Sequence, residues 1–204
     1  MSLEMTITYH REPYQDLFII ADAKRGDIGN TSHMYAHAFF KTLDFDAITL
    51  SPYMGKDSIS PFLEVEGKWA VLLALTSNEG SKDFQQLKLE GGKKLYEQVI
   101  STSSEWGSVN NIMYVLGATK AEALSSIRKL IPEHFLLVPG VGSQGGSLSE
   151  VAEHGMNDRC GLLVNASRSI IYADVTNKFE DAAREEASRL QSQMEEILGK
   201  RNLI

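Results

Sequence analysis

The hydrophobic positions of the chain fall into short continuous runs, separated by polar, glycine-rich turns and by stretches with helical spacing. Leu17 to Ala21 is the first run and Ala47 to Leu50 the second. Trp69 to Leu75, Met113 to Leu116, Phe135 to Val138 and Leu162 to Val164 follow. Runs of this length without polar alternation predict strands buried on both faces, and so a parallel sheet covered by helices. The helical patterns lie between them. One runs through Tyr35, Ala38 and Phe39 behind a cap at Thr31 or Ser32, and another covers about Lys93 to Ser101. Thr119 to Glu122 is a capping box ahead of Ala123, Leu124, Ile127 and Leu130, and Ser147 to Glu150 is a second box ahead of a short helix. The chain closes with an amphipathic helix whose stripe is Phe179, Ala183, Ala187, Leu190, Met194 and Ile197, ended by Gly199. Residues 1–16 show no core pattern.

Strand, loop and helix thus repeat, with no linker or low-complexity segment, which predicts a single domain over residues 1–204. The polar, glycine-rich sequences all follow strands, whereas the connections from helices back into strands carry little chemistry. That one-sidedness fits a TIM barrel with its site at the C-terminal face; a doubly wound sheet would bind at one switch point, from fewer loops. A closed barrel of this type has eight strand–helix units, and only six are visible. The other two are expected to belong before residue 17, since the C-terminus ends in a complete helix; otherwise the sheet is open.

Composition narrows the function classes. A chain of 204 residues can bury a sizeable core. The net charge of -7 gives no support for general nucleic-acid or acidic-membrane binding, though a few local cations can still hold an anionic substrate. The single cysteine, Cys160, excludes an intrachain disulfide and a thiolate metal cluster, and is expected as a buried structural thiol in a reducing compartment. No apolar run approaches the roughly 20 residues that span a bilayer. The polar start, Met1 to Glu12, does not look like a signal peptide; Met1-Ser2-Leu3 reads as a leader, with Met5 a second start.

The densest chemistry is Asp22-Ala23-Lys24-Arg25-Gly26-Asp27-Ile28-Gly29-Asn30-Thr31, directly after the first strand. Side chains alternate along a strand, so Asp22 and Lys24 fall on one face. An ammonium beside a carboxylate keeps its proton and is held in place, so it can act as a positioned acid. A solvated turn with a local ion pair is the plainer reading. Asp27 lies beyond the strand end and need not point into the same site.

Pro139 to Gly146 contains Gly140-x-Gly142-x-x-Gly145, a match to the dinucleotide fingerprint that is weak alone, late in the chain and followed by no well-placed acid. Backbone N–H groups leading to a helix N-terminus suit a phosphate better, with Gln144 as an amide donor and Arg168, after the last strand, as a fixed cation. Thr76-Ser77-Asn78 offers neutral groups for a base or amide edge, or a plain helix N-cap. His33 and His37 are spaced for a shared metal, but without the glutamate of H-E-x-x-H they read as surface histidines of a helix.

Taken together, these residues resemble the orotidine 5′-monophosphate decarboxylases, in particular the longer bacterial subgroup, from Phe18 to Leu198. The resemblance rests on the Asp22 to Thr31 motif, Ser51-Pro52-Tyr53-Met54-Gly55, Leu75 to Asn78, Val138 to Gly146 and Asn165-Ala166-Ser167-Arg168. It implies an eight-stranded α/β barrel, a cytoplasmic homodimer with shared sites, and decarboxylation of orotidine monophosphate without cofactor or metal. Lys24 then resembles the family's proton donor and Asp22 the carboxylate beside it. Asp27 and Thr31 resemble residues lent to the partner's site, and Ser77 the pyrimidine-contacting serine. Pro139 would line the pocket, and Gln144 and Arg168 would grip the phosphate. The family's first two strands supply a sugar-binding aspartate and a further lysine. Residues 1–16 match neither; Arg11 and Asp16 are the only nearby candidates. The chain is therefore expected to lack those strands, to turn over little alone, and to need its sheet edges covered. Two alternatives stand beside this reading: a magnesium-dependent sugar-phosphate decarboxylase or synthase of the same suprafamily, and a fragment that only binds ligand.

Overall fold

A computed structural model describes residues 3–118, 121–142 and 146–204. Its elements in chain order are α1 (Leu3–Arg11), β1 (Ile20–Arg25), α2 (Gly29–His37), β2 (Ala47–Leu50), α3 (Ser60–Leu63), β3 (Trp69–Leu75), α4 (Leu95–Ser103), β4 (Ile112–Leu116), α5 (Ala121–Leu130), β5 (Phe135–Pro139), α6 (Leu148–Gly155), β6 (Leu162–Asn165), α7 (Arg168–Ile171) and α8 (Phe179–Lys200). The strands neighbour one another in chain order, and the pairs β1–β2, β2–β3 and β5–β6 are parallel. The chain divides into two compact units, residues 1–73 with 102–113 and residues 74–101 with 114–204.

In the first unit, β2 is the innermost strand, with Ala47, Ile48 and Leu50 fully buried and Thr49 1% exposed. Phe40 packs edge-on against Phe62, 6.0 Å between ring centres, over the same core. Strand β1 differs from the expected Leu17 to Ala21. Its extent is set by pairing with β2, Ile20 to Ala47 and Ala21 to Ile48, so Leu17 and Phe18 stay exposed and Asp22 to Arg25 lie within the strand. The register slips between Ala21 and Arg25.

Residues 3–11, where no core pattern was visible, form a helix that buries Ile7 alone. Arg11 anchors it: the guanidinium donates to the carbonyls of Leu17 and Asp44 at 2.9 and 3.0 Å and to Asp46 Oδ2 at 2.7 Å. Asp46 Oδ2 also accepts the Ile19 N–H at 2.7 Å. Arg11 therefore ties together the beginnings of β1 and β2, at the other end of β1 from Lys24, and does not extend the charged motif. Neither Thr31 nor Ser32 caps α2. The helix starts earlier, at Gly29 (φ +56°), and Ile28 holds the cap position with no side-chain hydrogen bond. Ser32 is buried one turn in, donating to the Ser58 carbonyl at 2.9 Å.

In the second unit, β5 and β6 pair in register from Leu136–Leu162 to Pro139–Asn165. Helices α5 and α6 pack together closely at Gly155, where an added Cβ would lie 3.1 Å from Leu124 and Leu162. Ser147 caps α6 as expected, accepting the Glu150 N–H at 3.4 Å. Of the other capping box, Thr119 and Lys120 lie outside the described residues. Two features were not legible. The turn after β6 winds at once into α7, and α8 continues through Gly199 to Lys200. Cys160 is only half-buried, because it sits at φ +68° in the tight turn bridging Asn157 and Cys160. Among the described residues no helix is long and apolar enough to cross a membrane.

Arg128, on α5, is the polar hub of this unit. Its guanidinium donates to the carbonyls of Gly155 (2.6 Å), His134 (2.6 Å) and Gly161 (2.7 Å), with Ile131 at 3.3 Å and Pro132 at 3.4 Å. Burial is the main influence on its pKa, which is lowered to about 10 against an opposing pull from Glu133. These carbonyls belong to the connections that lead into β5 and β6.

Candidate active site

The charged motif is built in the first unit at the end of β1. Asp22 and Lys24 share a face, as period-two alternation requires, and Lys24 Nζ donates to Asp22 Oδ1 at 2.5 Å. Both side chains are more than half exposed. Lys24 has φ +47°, a left-handed conformation that a side-chain-bearing residue seldom adopts, and it sits where the register slips. Its backbone N–H therefore meets a side chain in place of a strand partner: it donates to Thr49 Oγ1 at 2.9 Å. The Thr49 hydroxyl donates in turn to Asp22 Oδ1 at 3.0 Å.

The motif's exit is fixed by neighbours. Arg25 stacks over Tyr35 at 5.4 Å and Phe39 at 5.9 Å, and its carbonyl accepts the Ser51 N–H at 2.8 Å. Asp27 does not join the Asp22–Lys24 pair; its carboxylate accepts the N–H of Ile28 at 2.8 Å. Thr31 lies within α2 and is exposed. Around them Ile28, Met34, Tyr53 and Met54 are exposed at 54%, 66%, 85% and 46%. His33 and His37 are exposed on α2. Among the described residues no group of three metal-ligating side chains occurs.

The remaining candidates belong to the second unit. Thr76 does not cap the short helical turn after it, which has no side-chain cap. Instead its N–H donates to Gln85 Oε1 at 2.8 Å, Gln85 Nε2 returns a bond to Thr76 Oγ1 at 3.0 Å, and Thr76 Oγ1 donates to Asn78 Oδ1 at 2.5 Å. Ser77 is held between these two residues. Gly117 makes room for it, since a Cβ there would come within 2.8 Å of the Ser77 Cβ.

Pro139 ends β5, and the chain then turns through Gly140 (φ +96°) and Gly142 (φ +82°), whose N–H donates to the Gly146 carbonyl at 3.0 Å. Gly146 is forced by space: a Cβ would lie 2.4 Å from that of Ala118. Gln144 lies outside the described residues. Arg168 is the first residue of α7 and is exposed, and among the described residues its side chain carries no ion pair. The neighbouring Ser169 Oγ is buried against Gly142 without a hydrogen-bond partner among the described residues. Two residues in these sites were not singled out from sequence. Thr49 carried a signal, as the one polar residue in a four-residue buried strand; Gln85 carried none.

Comparison with known proteins gives the family of the chain. Residues 5–184 match the family described as orotidine 5′-phosphate decarboxylase / HUMPS. An orotidine 5′-phosphate decarboxylase of Porphyromonas gingivalis is 61% identical over 203 residues, covering 100% of this chain and 74% of that protein. One from Phocaeicola vulgatus is 58% identical over 198 residues, covering 97% of this chain and 73% of its own length. The solved structure of Leishmania donovani OMP decarboxylase superposes with a TM-score of 0.74 at 38% identity, over 89% of this chain and 67% of that one. The parallel strand–helix architecture is that of the TIM-barrel family, of which six units are present here. With an aspartate–lysine motif at the end of β1, a glycine turn after β5 and sequence identity across nearly its whole length, the chain belongs to the orotidine 5′-phosphate decarboxylase / HUMPS family.

Proposed function

We propose that Lys24, Asp22 and Asp27 carry the chemistry of this chain, and that Thr31, Ser77, Pro139, Gln144 and Arg168 bind its substrate. The reaction is that of its relatives: orotidine 5′-monophosphate is decarboxylated to uridine 5′-monophosphate in pyrimidine biosynthesis, the work of a carboxy-lyase. The observation that carries the residue assignment is the Asp22–Lys24 pair, an ammonium fixed at 2.5 Å from a carboxylate on an exposed strand end.

Loss of carbon dioxide from the pyrimidine leaves an electron pair on carbon six. In the proposed mechanism Asp22 lies beside the substrate carboxylate and disfavours it, while Lys24 stabilises the developing carbanion and delivers its proton there. Such a step needs no cofactor, because the charge is neutralised by a preorganised cation. Ser77 contacts the pyrimidine, and Arg168, with Gln144 and the glycine turn, binds the phosphate. Energy from that remote contact is expressed at the reacting carbon.

Asp27 and Thr31 act in the site of a second copy, which makes the working form a homodimer. The exposed apolar side chains of Ile28, Met34 and Tyr53 beside them support that arrangement. We place the enzyme in the cytoplasm, on the strength of its metabolic relatives. The magnesium-dependent reading is disfavoured by relatives at 58% and 61% identity that bear the name orotidine 5′-phosphate decarboxylase. The test is release of labelled carbon dioxide from carboxyl-labelled substrate, with uridine monophosphate binding measured alongside. Low turnover in the unsubstituted chain that disappears in Lys24→Ala while nucleotide binding persists is the expected result. Unchanged turnover would sink the assignment, and binding without turnover in the unsubstituted chain would favour the binding-only reading.

A further inference from the structure

We propose that Thr49 is a positioning residue that sets the aim of the Lys24 ammonium. Thr49 is 1% exposed, on the innermost strand of its unit, so a substrate would meet Asp22 and Lys24 and not Thr49 itself. Its hydroxyl has one proton to give and lone pairs to accept with. It accepts the Lys24 backbone N–H at 2.9 Å and donates to Asp22 Oδ1 at 3.0 Å, with the Ala21 carbonyl a longer second acceptor at 3.4 Å. Asp22 Oδ1 also takes the Lys24 ammonium at 2.5 Å. The bonds close a ring: Lys24 backbone to Thr49, Thr49 to Asp22, Asp22 to the Lys24 side chain. One hydroxyl thus holds the lysine at both ends.

Two further observations make the ring more than a packing detail. Lys24 is at φ +47°, so its N–H is turned away from the ladder and Thr49 is its partner. Lys24 and Asp22 are otherwise open to solvent, with side chains 54% and 68% exposed, and a long exposed side chain has many rotamers to lose. A buried hydroxyl fixed by β2 is the rigid element that reduces them.

The inference rests on the proposed role of Lys24, and its test is chosen to separate the two. Lys24 is acylated with N-hydroxysuccinimide acetate and its labelling rate is compared by peptide mass spectrometry with that of Lys41, an exposed lysine of the same unit. Thr49→Val removes the hydroxyl at nearly constant shape and is expected to raise the Lys24 to Lys41 ratio about threefold, the effect of one hydrogen bond. Thr49→Ser restores the wild-type ratio. In turnover, Thr49→Val lowers kcat about tenfold and leaves KM within about twofold, the pattern of misaimed chemistry. A valine variant with the wild-type ratio, or a serine variant that behaves like valine, overturns the proposal. If Thr49→Val does not fold, deuterium exchange in the unsubstituted chain decides: a Lys24 amide that exchanges at the unprotected rate has no partner in Thr49. Failure of the proton-donor reading shows separately, as turnover retained by Lys24→Ala with the Thr49 effect on labelling intact.

Discussion

Arg128 and Lys24 are two cations treated in opposite ways. Arg128, in the second unit, is half-buried and surrounded by five carbonyls from the connections that precede β5 and β6. Lys24, in the first unit, stands at the finishing end of β1 with one carboxylate partner, a solvent-exposed ammonium and a left-handed backbone. Arg11 repeats the Arg128 pattern in the first unit, tying the beginnings of β1 and β2. Arg128 is taken up by backbone carbonyls, and Arg11 by two carbonyls and the Asp46 carboxylate, so both hold the fold; Lys24, after its strand, keeps its side chain exposed. A cation taken up by the fold has little left to offer a ligand, so on the proposed role of Lys24 the two tasks fall at different strand ends.

The largest effect should come from the outward cation. Lys24→Ala is expected to lower turnover by about a thousandfold, as for loss of a positioned acid, with little change in melting temperature. A large fall in stability instead would erase the distinction between the two cations. Next comes Arg128→Met, which keeps the apolar stem and orphans the carbonyls; it should cost about 3 kcal/mol in denaturant unfolding. A neutral outcome would mean that water replaces the guanidinium freely. Arg168→Met, at the start of α7, should raise KM for the nucleotide about tenfold while leaving the unfolding midpoint unchanged.

The smallest effect concerns pH. His134 is 7% exposed, stacks edge-on against Tyr114 at 5.6 Å, and both ring nitrogens lack a hydrogen-bond partner among the described residues. Burial, and then the nearby Arg128 charge, hold its pKa below the ordinary 6.5. The unfolded chain therefore binds a proton at higher pH than the folded one. Stability is full above about pH 6.5 and falls as the pH drops from there to the lowered folded value. His134→Leu should flatten that decline, measured as melting temperature against pH; an unaltered slope would place its origin elsewhere.

Much of this architecture was legible from sequence, for identifiable reasons. The four buried residues of β2 and the seven residues of β3, five of them buried, were read with their boundaries because continuous apolar runs leave no alternative. Ser147 was read as a cap because its box is local. What escaped depends on contacts distant in sequence. The boundaries of β1 follow its pairing with β2, α1 is held through Arg11, and Thr49 matters only because Lys24 turns its N–H toward it. The candidate site was legible as residue types, and the hydroxyl and amide that hold it were not.

The φ of +47° at Lys24 has a consequence for how the chain tolerates change. A side-chain-bearing residue in the left-handed region carries a conformational cost of about 1 kcal/mol that glycine escapes. Lys24→Gly should therefore melt higher than Lys24→Ala while being equally inert. Selection for stability alone would steadily replace this lysine. On the proposed role, the lysine is kept there by its chemistry against the preference of its own backbone, and stabilising screens that ignore turnover should find glycine first.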